Sequence, residues 1–65
     1  MKPAHPLFIS TAHEMTATRR ACRMAPDGPR KTMALAHVQA AQAAFEEHDE
    51  TTCLEQCRAA VAALN

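Results

Sequence analysis

The chain has 65 residues, of which 48% are hydrophobic and 3% aromatic, and its formal net charge at neutral pH is zero. A chain of this length forms one small, marginally stable domain with little room for a substrate pocket. Its run of large apolar residues, Leu7-Phe8-Ile9, is too short for a signal-peptide core or a membrane span. Composition therefore argues against an enzyme and against a membrane protein.

The beginning of the chain is predicted to be an extended arm. Pro3 and Pro6 disfavour a helix over residues 1–9, and we expect Leu7-Phe8-Ile9 to pack back on the rest of the protein. Strand signals are nearly absent, because β-branched and aromatic residues are few and do not alternate with polar ones. Residues 10–65 are therefore predicted to form a single small helical domain.

The first helix is predicted over about residues 12–24. Thr11 and Glu14 have the spacing of a capping box, in which each side chain accepts a hydrogen bond from backbone at the start of a helix. The sequence Pro26-Asp27-Gly28-Pro29 favours a turn, so the helix should end before it.

The second helix is predicted over about residues 31–47, a segment rich in Ala and Gln. One of its faces carries only small residues, Ala34, Ala41 and Ala44, so another helix could approach it closely. A second capping box, Thr52 with Glu55, predicts a third helix over about residues 53–64.

These elements predict an all-α fold, a small helical bundle. The short connection makes helices 2 and 3 an antiparallel hairpin, with the N-terminal helix packed on or beside it. Larger apolar residues recur at helical spacing and are expected to hold the helices together. They are Leu35, Val38, Phe45, Leu54, Cys57, Val61 and Leu64.

Charge is divided unevenly between the two halves of the chain. Six basic and two acidic side chains give residues 1–33 a net charge of +4, whereas one basic and five acidic side chains give residues 34–65 a net charge of −4. Such asymmetry points to a binding surface. The candidate basic face consists of Arg19, Arg20, Arg23, Arg30 and Lys31.

Three interpretations of this basic face are open. The guanidinium group matches carboxylates and phosphates geometrically, so an acidic protein surface or a nucleic acid could bind it. Nucleic acid is disfavoured because no aromatic residue is interleaved for base stacking. Alternatively, the face is merely solvated, with its charges paired to Glu46, Glu47 or Glu50 of the acidic half.

Three cysteines are an odd number, which argues against a closed disulfide framework and favours a protein with reduced thiols in the cytoplasm. Cys53 and Cys57 lie one helical turn apart, and with His48 they are candidate ligands for Zn or Cu. Cys57 also belongs to an apolar stripe, where a free thiol packs as a small hydrophobe. We favour the packing interpretation and expect no cofactor.

The sequence thus predicts a small, non-enzymatic, protein-binding module, an adaptor, regulator or inhibitor of a larger protein complex. It would use the basic helix face together with helix packing. A nucleic-acid-binding regulator acting through the segment from helix 1 to helix 2 is the first alternative, and a Zn- or Cu-binding helical protein is the second. Because the core is thin, self-association is also open.

Overall fold

A computed structural model of the chain describes the backbone from residue 6 and the side chains from residue 11. Three helices follow one another: α1 spans Pro6–Met24, α2 spans Pro29–Glu46 and α3 spans Glu50–Leu64. The helices pack together, and no strand occurs in residues 6–65. The predicted all-α bundle is confirmed.

Helix α1 begins at Pro6 and not near residue 12. The first turn of a helix tolerates proline, because its backbone N–H groups have no partner within the helix. The extended arm predicted over residues 1–9 is therefore wrong from Pro6 onward, and residues 1–5 lie outside the described part. Thr11 lies buried inside the helix and does not cap it. The predicted packing of Leu7-Phe8-Ile9 concerns side chains outside the described residues.

Helix α2 begins where a glycine and a proline meet. Gly28 is its N-cap with φ 153°, a backbone conformation that L side chains rarely adopt, and Pro29 follows at the first helical position. This places the start of α2 slightly before the predicted position near residue 31.

The connection from α2 to α3 is a Schellman motif that leads directly into an N-cap. His48 adopts a left-handed conformation (φ 63°). The Asp49 N–H donates to the Ala44 carbonyl at 2.8 Å, and the His48 N–H donates to the Phe45 carbonyl at 3.0 Å. The Asp49 side chain then accepts from the Thr52 N–H at 3.2 Å. Asp49, and not Thr52 of the predicted capping box, is therefore the N-cap, so α3 begins at Glu50.

Small side chains build most of the core. Each helix buries one row at helical spacing, and many members of these rows are Ala, Cys or Thr. The fully or nearly fully buried residues are Thr11, Met15, Thr18, Cys22, Ala34, Val38, Ala41, Ala44, Cys53, Cys57 and Ala60. The small stripe predicted on α2, Ala34, Ala41 and Ala44, is indeed buried. Small residues let helix backbones approach closely, which explains why this row faces inward.

Several larger residues predicted to hold the helices together lie further out. Val38 and Cys57 are buried, whereas Leu35 and Val61 are each 42% exposed. Phe45, Leu54 and Leu64 are half-buried.

On α3 the buried row runs through Cys53, Cys57 and Ala60, so Leu54 and Val61 sit about 100° around the helix from it. Leu35 and Val61, which were predicted to hold the helices together, therefore lie outside the buried core, because the small row makes the closer contact.

The three helix pairs are not equally close. Helices α2 and α3 share the most contacts, α1 shares fewer with α3, and the described parts of α1 and α2 share the fewest. A hydrogen bond between His37 Nδ1 and Gln56 Oε1, 2.7 Å long and partly buried, also ties α2 to α3. The predicted hairpin is thus the tightest unit. Within the described chain, none of the helices combines the length and hydropathy needed to cross a membrane.

Candidate functional site

Three of the five predicted basic residues meet at the end of the bundle where α1 stops and α2 starts. Arg19 and Arg23 from α1 and Lys31 from α2 line a depression of about 360 Å³. Leu35 and Val38 from α2 line the same depression. The site therefore joins cationic side chains to an apolar surface, part of which is the 42% exposed Leu35.

The other two basic residues lie elsewhere. Arg20 lines a separate depression on α1, together with residues that include Ala17 and Met24. One helical step of about 100° separates Arg20 from Arg19, which explains why the two side chains line different depressions.

The Arg30 guanidinium lies 3.5 Å from the Asn65 carbonyl oxygen at the end of α3. The structure therefore brings Arg19, Arg23 and Lys31 together but does not place all five on one surface.

A second depression, of about 380 Å³, continues along the same seam towards the other end of the bundle. Ala12, Met15 and Thr16 line it from α1, and Gln42, Phe45 and Glu46 line it from α2. Arg19 borders both depressions and donates a hydrogen bond to Gln42 Oε1 across the seam. We call the two depressions together the α1–α2 groove.

The cations of the groove are largely free of acidic partners. Lys31 pairs with Asp27 at 3.2 Å, and the Asp27 side chain is 98% exposed. Such an exposed ion pair contributes little to stability. Elsewhere in the described chain no ion pair forms, so neither Arg19 nor Arg23 is paired with Glu46, Glu47 or Glu50. Their positive charge remains available to a ligand.

Several acidic residues lie at the end of the bundle opposite Lys31, although Asp27 lies beside Lys31 itself. Asp49 caps α3 and Glu50 lies in its first turn, where negative charge interacts favourably with the helix dipole. Glu46 borders the groove at this same end. The groove is therefore basic at the end near Lys31 and acidic at the end near Glu46.

The three thiols are buried between the helices. Cys22 and Cys53 have no exposed surface and Cys57 is 1% exposed. Burial, reinforced by the hydrogen-bonded thiol of Cys57, raises the pKa of Cys53 to about 11. Burial also raises the pKa of Cys22, although the positive charge of Lys31 opposes that shift. At neutral pH Cys22 and Cys53 are therefore protonated thiols that pack as small apolar groups.

The metal-ligand candidates are not brought together. His48 is exposed in the turn between α2 and α3, whereas Cys53 and Cys57 face the interior. Across the part of the chain that the structure describes, no group of three or more His, Cys, Asp or Glu side chains is placed to hold a metal ion.

No protein-family model matches the chain, and neither a curated protein nor a solved structure matches it. The geometry and chemistry of the groove are therefore the indications of function.

Proposed function

We propose that this chain is a small, non-enzymatic, protein-binding module that recognises an acidic surface of its partner, as an adaptor, regulator or inhibitor of a larger complex. The convergence of Arg19, Arg23 and Lys31 around the apolar surface of Leu35 and Val38 carries the proposal. Protein interfaces commonly combine a water-excluding apolar centre with a polar rim, and arginine is enriched among the residues that dominate binding energy. The basic rim would steer and orient carboxylates of the partner.

The composition of the groove favours a protein ligand over a nucleic acid. No aromatic residue lines the depression beside Lys31, so a base would find no ring to stack on there, and Phe45, the aromatic residue of the groove, lies at the end near Glu46. The acidic end of the groove, at Glu46, would repel a phosphate backbone that continued along the seam. Three free, buried thiols support the accompanying proposal that the protein works in the reducing cytoplasm.

Affinity purification with charge-reversed variants tests this proposal. The tagged full-length chain is used to capture partners from nuclease-treated and untreated lysate of the source cells, in parallel with the double variant Arg19→Glu/Arg23→Glu. Arg20→Glu is the matched control, because it reverses an exposed charge on the same helix outside the groove. We expect a protein that the wild type and the control retain and the double variant loses.

Two results would contradict the proposal. One is equal recovery of every captured protein by the wild type and the double variant. That result would show that the groove cations are not needed for recognition. The other is recovery that nuclease abolishes and salt steeply weakens, which would support a nucleic-acid-binding regulator instead. Recovery of a second copy of this chain through Arg19 and Arg23 would identify the acidic partner as the protein itself.

A further inference from the structure

The seam between α1 and α2 is the open side of the bundle. Helix α3 packs against both other helices, whereas the described parts of α1 and α2 share the fewest contacts of any helix pair. The two depressions lie along this seam and share Arg19 as a lining residue, and the Arg19–Gln42 hydrogen bond crosses the seam there. A long groove between two helices can take a long ligand segment as well as a single side chain.

The dimensions of the groove match a short helix. Its apolar side chains on α2 are Leu35, Val38 and Phe45, at the spacing of one helix face. Ten residues separate Leu35 from Phe45, which corresponds to roughly 15 Å along the helix axis, or about three turns. A third helix could place apolar side chains against this row, as amphipathic helices do in helix-in-groove recognition.

The charges of the groove give this ligand a direction. Arg23 and Lys31 lie at one end and Glu46 at the other. Carboxylates of a ligand would be attracted to the first end and repelled from the second. The C-terminal end of a helix carries partial negative charge, so it too favours the end at Arg23 and Lys31.

We infer that the partner segment is an acidic amphipathic helix of about three turns that lies in the α1–α2 groove. Its apolar face covers Leu35 and Phe45, and its acidic C-terminal turn lies beside Arg23 and Lys31. This inference rests on the proposed function, since it specifies which part of a protein partner enters the same site.

Two synthetic peptides and the isotope-labelled full-length chain test the inference by NMR titration. Both peptides have about 15 residues and the same leucines at helical spacing. The first carries glutamates in its last turn, and in the second these glutamates are replaced by glutamines. We expect the first peptide to bind about fivefold or more tightly than the second. It should shift the amide signals of residues that line the groove.

Matched variants locate the binding site. Leu35→Asp should weaken binding of the first peptide by about tenfold or more, because it places a carboxylate in the apolar part of the groove. Val61→Asp is the control, because Val61 is equally exposed, at 42%, but lies on α3 and does not line either depression of the groove. Circular dichroism of both variants checks that they fold as the wild type does.

Three outcomes would overturn the inference. The first is the absence of binding up to about 1 mM peptide. The second is equal binding of the two peptides, and the third is signal changes confined to the face of α1 that carries Ala17 and Arg20. Any of these results would contradict an acidic helical ligand. The proposed function would still hold if the Arg19→Glu/Arg23→Glu variant loses a protein that the wild type captures. Failure of that capture experiment alone would count against the proposed function.

Discussion

The core and the α1–α2 groove are built from different kinds of residue. In the core, Ala34, Ala41, Cys53 and Ala60 have no exposed surface, so the helices meet through small side chains. In the groove, Leu35 remains 42% exposed beside Arg19 and Arg23, neither of which has an acidic partner in the described chain. The comparison shows that large apolar residues at helical spacing need not mark the centre of a helical bundle. Here the small residues form the helix contacts, and part of the larger apolar surface remains exposed.

The largest effect should follow from enlarging a small core residue. Ala41→Leu adds three carbon atoms at a position with no exposed surface, in the cluster that contains Met15 and Cys57. We expect it to lower the free energy of unfolding by roughly 3 kcal/mol, because the helices must move apart. Chemical denaturation followed by circular dichroism measures the change.

Leu35→Ala in the groove is the contrasting variant. It removes side-chain volume where the groove is already open, so we expect a loss below about 1 kcal/mol. A larger cost for Leu35→Ala than for Ala41→Leu would reverse the assignment of core and groove.

Alkaline pH should weaken the core by the next largest amount. Burial raises the pKa of Cys53 from its ordinary value of 9.0 to about 11 in the folded protein. Between these values the unfolded chain has lost the proton that the folded chain retains, so stability is complete below pH 9 and falls as the pH rises to about 11. We expect a loss on the order of 1–3 kcal/mol from this thiol. Denaturation curves across this pH range measure it.

Cys53→Ala is the control for the alkaline effect. The variant is less stable at neutral pH because its cavity is unfilled, but its stability should decline less steeply above pH 9. An unchanged slope in this variant would show that other groups cause the decline.

The turn that joins the two most closely packed helices gives a smaller and more selective test. Asp49→Ala removes the side chain that accepts from the Thr52 N–H, so we expect it to cost about 1 kcal/mol of unfolding free energy. Thr52→Ala, at the position that the sequence alone identifies as the cap, should cost much less. If the Thr52 substitution proved the more damaging in thermal denaturation, the cap assignment would be wrong.

The smallest effect should be a gain. His48 has φ 63°, a conformation that is strained for most residues and open to glycine. His48→Gly should therefore raise the free energy of unfolding by about 0.5 kcal/mol, the strain relief being partly offset by the greater entropy of the unfolded chain. His48→Ala retains the strained backbone conformation but lacks the imidazole ring. Comparing it with His48→Gly therefore separates the effect of the strain from the effect of the ring. A gain with alanine equal to that with glycine would locate the effect in the ring.

The helices could be predicted from the sequence because their interruptions are local. The Pro26–Pro29 turn and the polar segment around Asp49 are visible without knowledge of the fold. The first residues of the helices were harder to predict. Proline can either break or begin a helix, so the role of Pro6 was ambiguous. Asp49 and Thr52 are both suitable N-cap residues for α3. The buried small row of α2 could be predicted, but the inward face of α3 could be predicted only in part, because close approach of backbones selects Cys53 and Ala60 over the more hydrophobic Leu54 and Val61.

The candidate site was only partly predictable for a similar reason. The sequence identifies Arg19, Arg20 and Arg23 as a cluster because they are neighbours on one helix. That Lys31 and Leu35 join Arg19 and Arg23, while Arg20 points to another depression, depends on how α1 lies against α2. The contribution of Gln42 has no sequence signal at all, since its role arises only from the hydrogen bond across the seam.

Helices α2 and α3 are the most closely packed pair, and α1 lies beside α2 along the α1–α2 groove. Amide hydrogen exchange of the free, full-length chain measures this most directly, because each helix reports the free energy of its own opening. We expect amides of α1 between residues 12 and 24 to exchange faster than the central amides of α2 and α3. Equal protection of all three helices, or slowest exchange in α1, would contradict it.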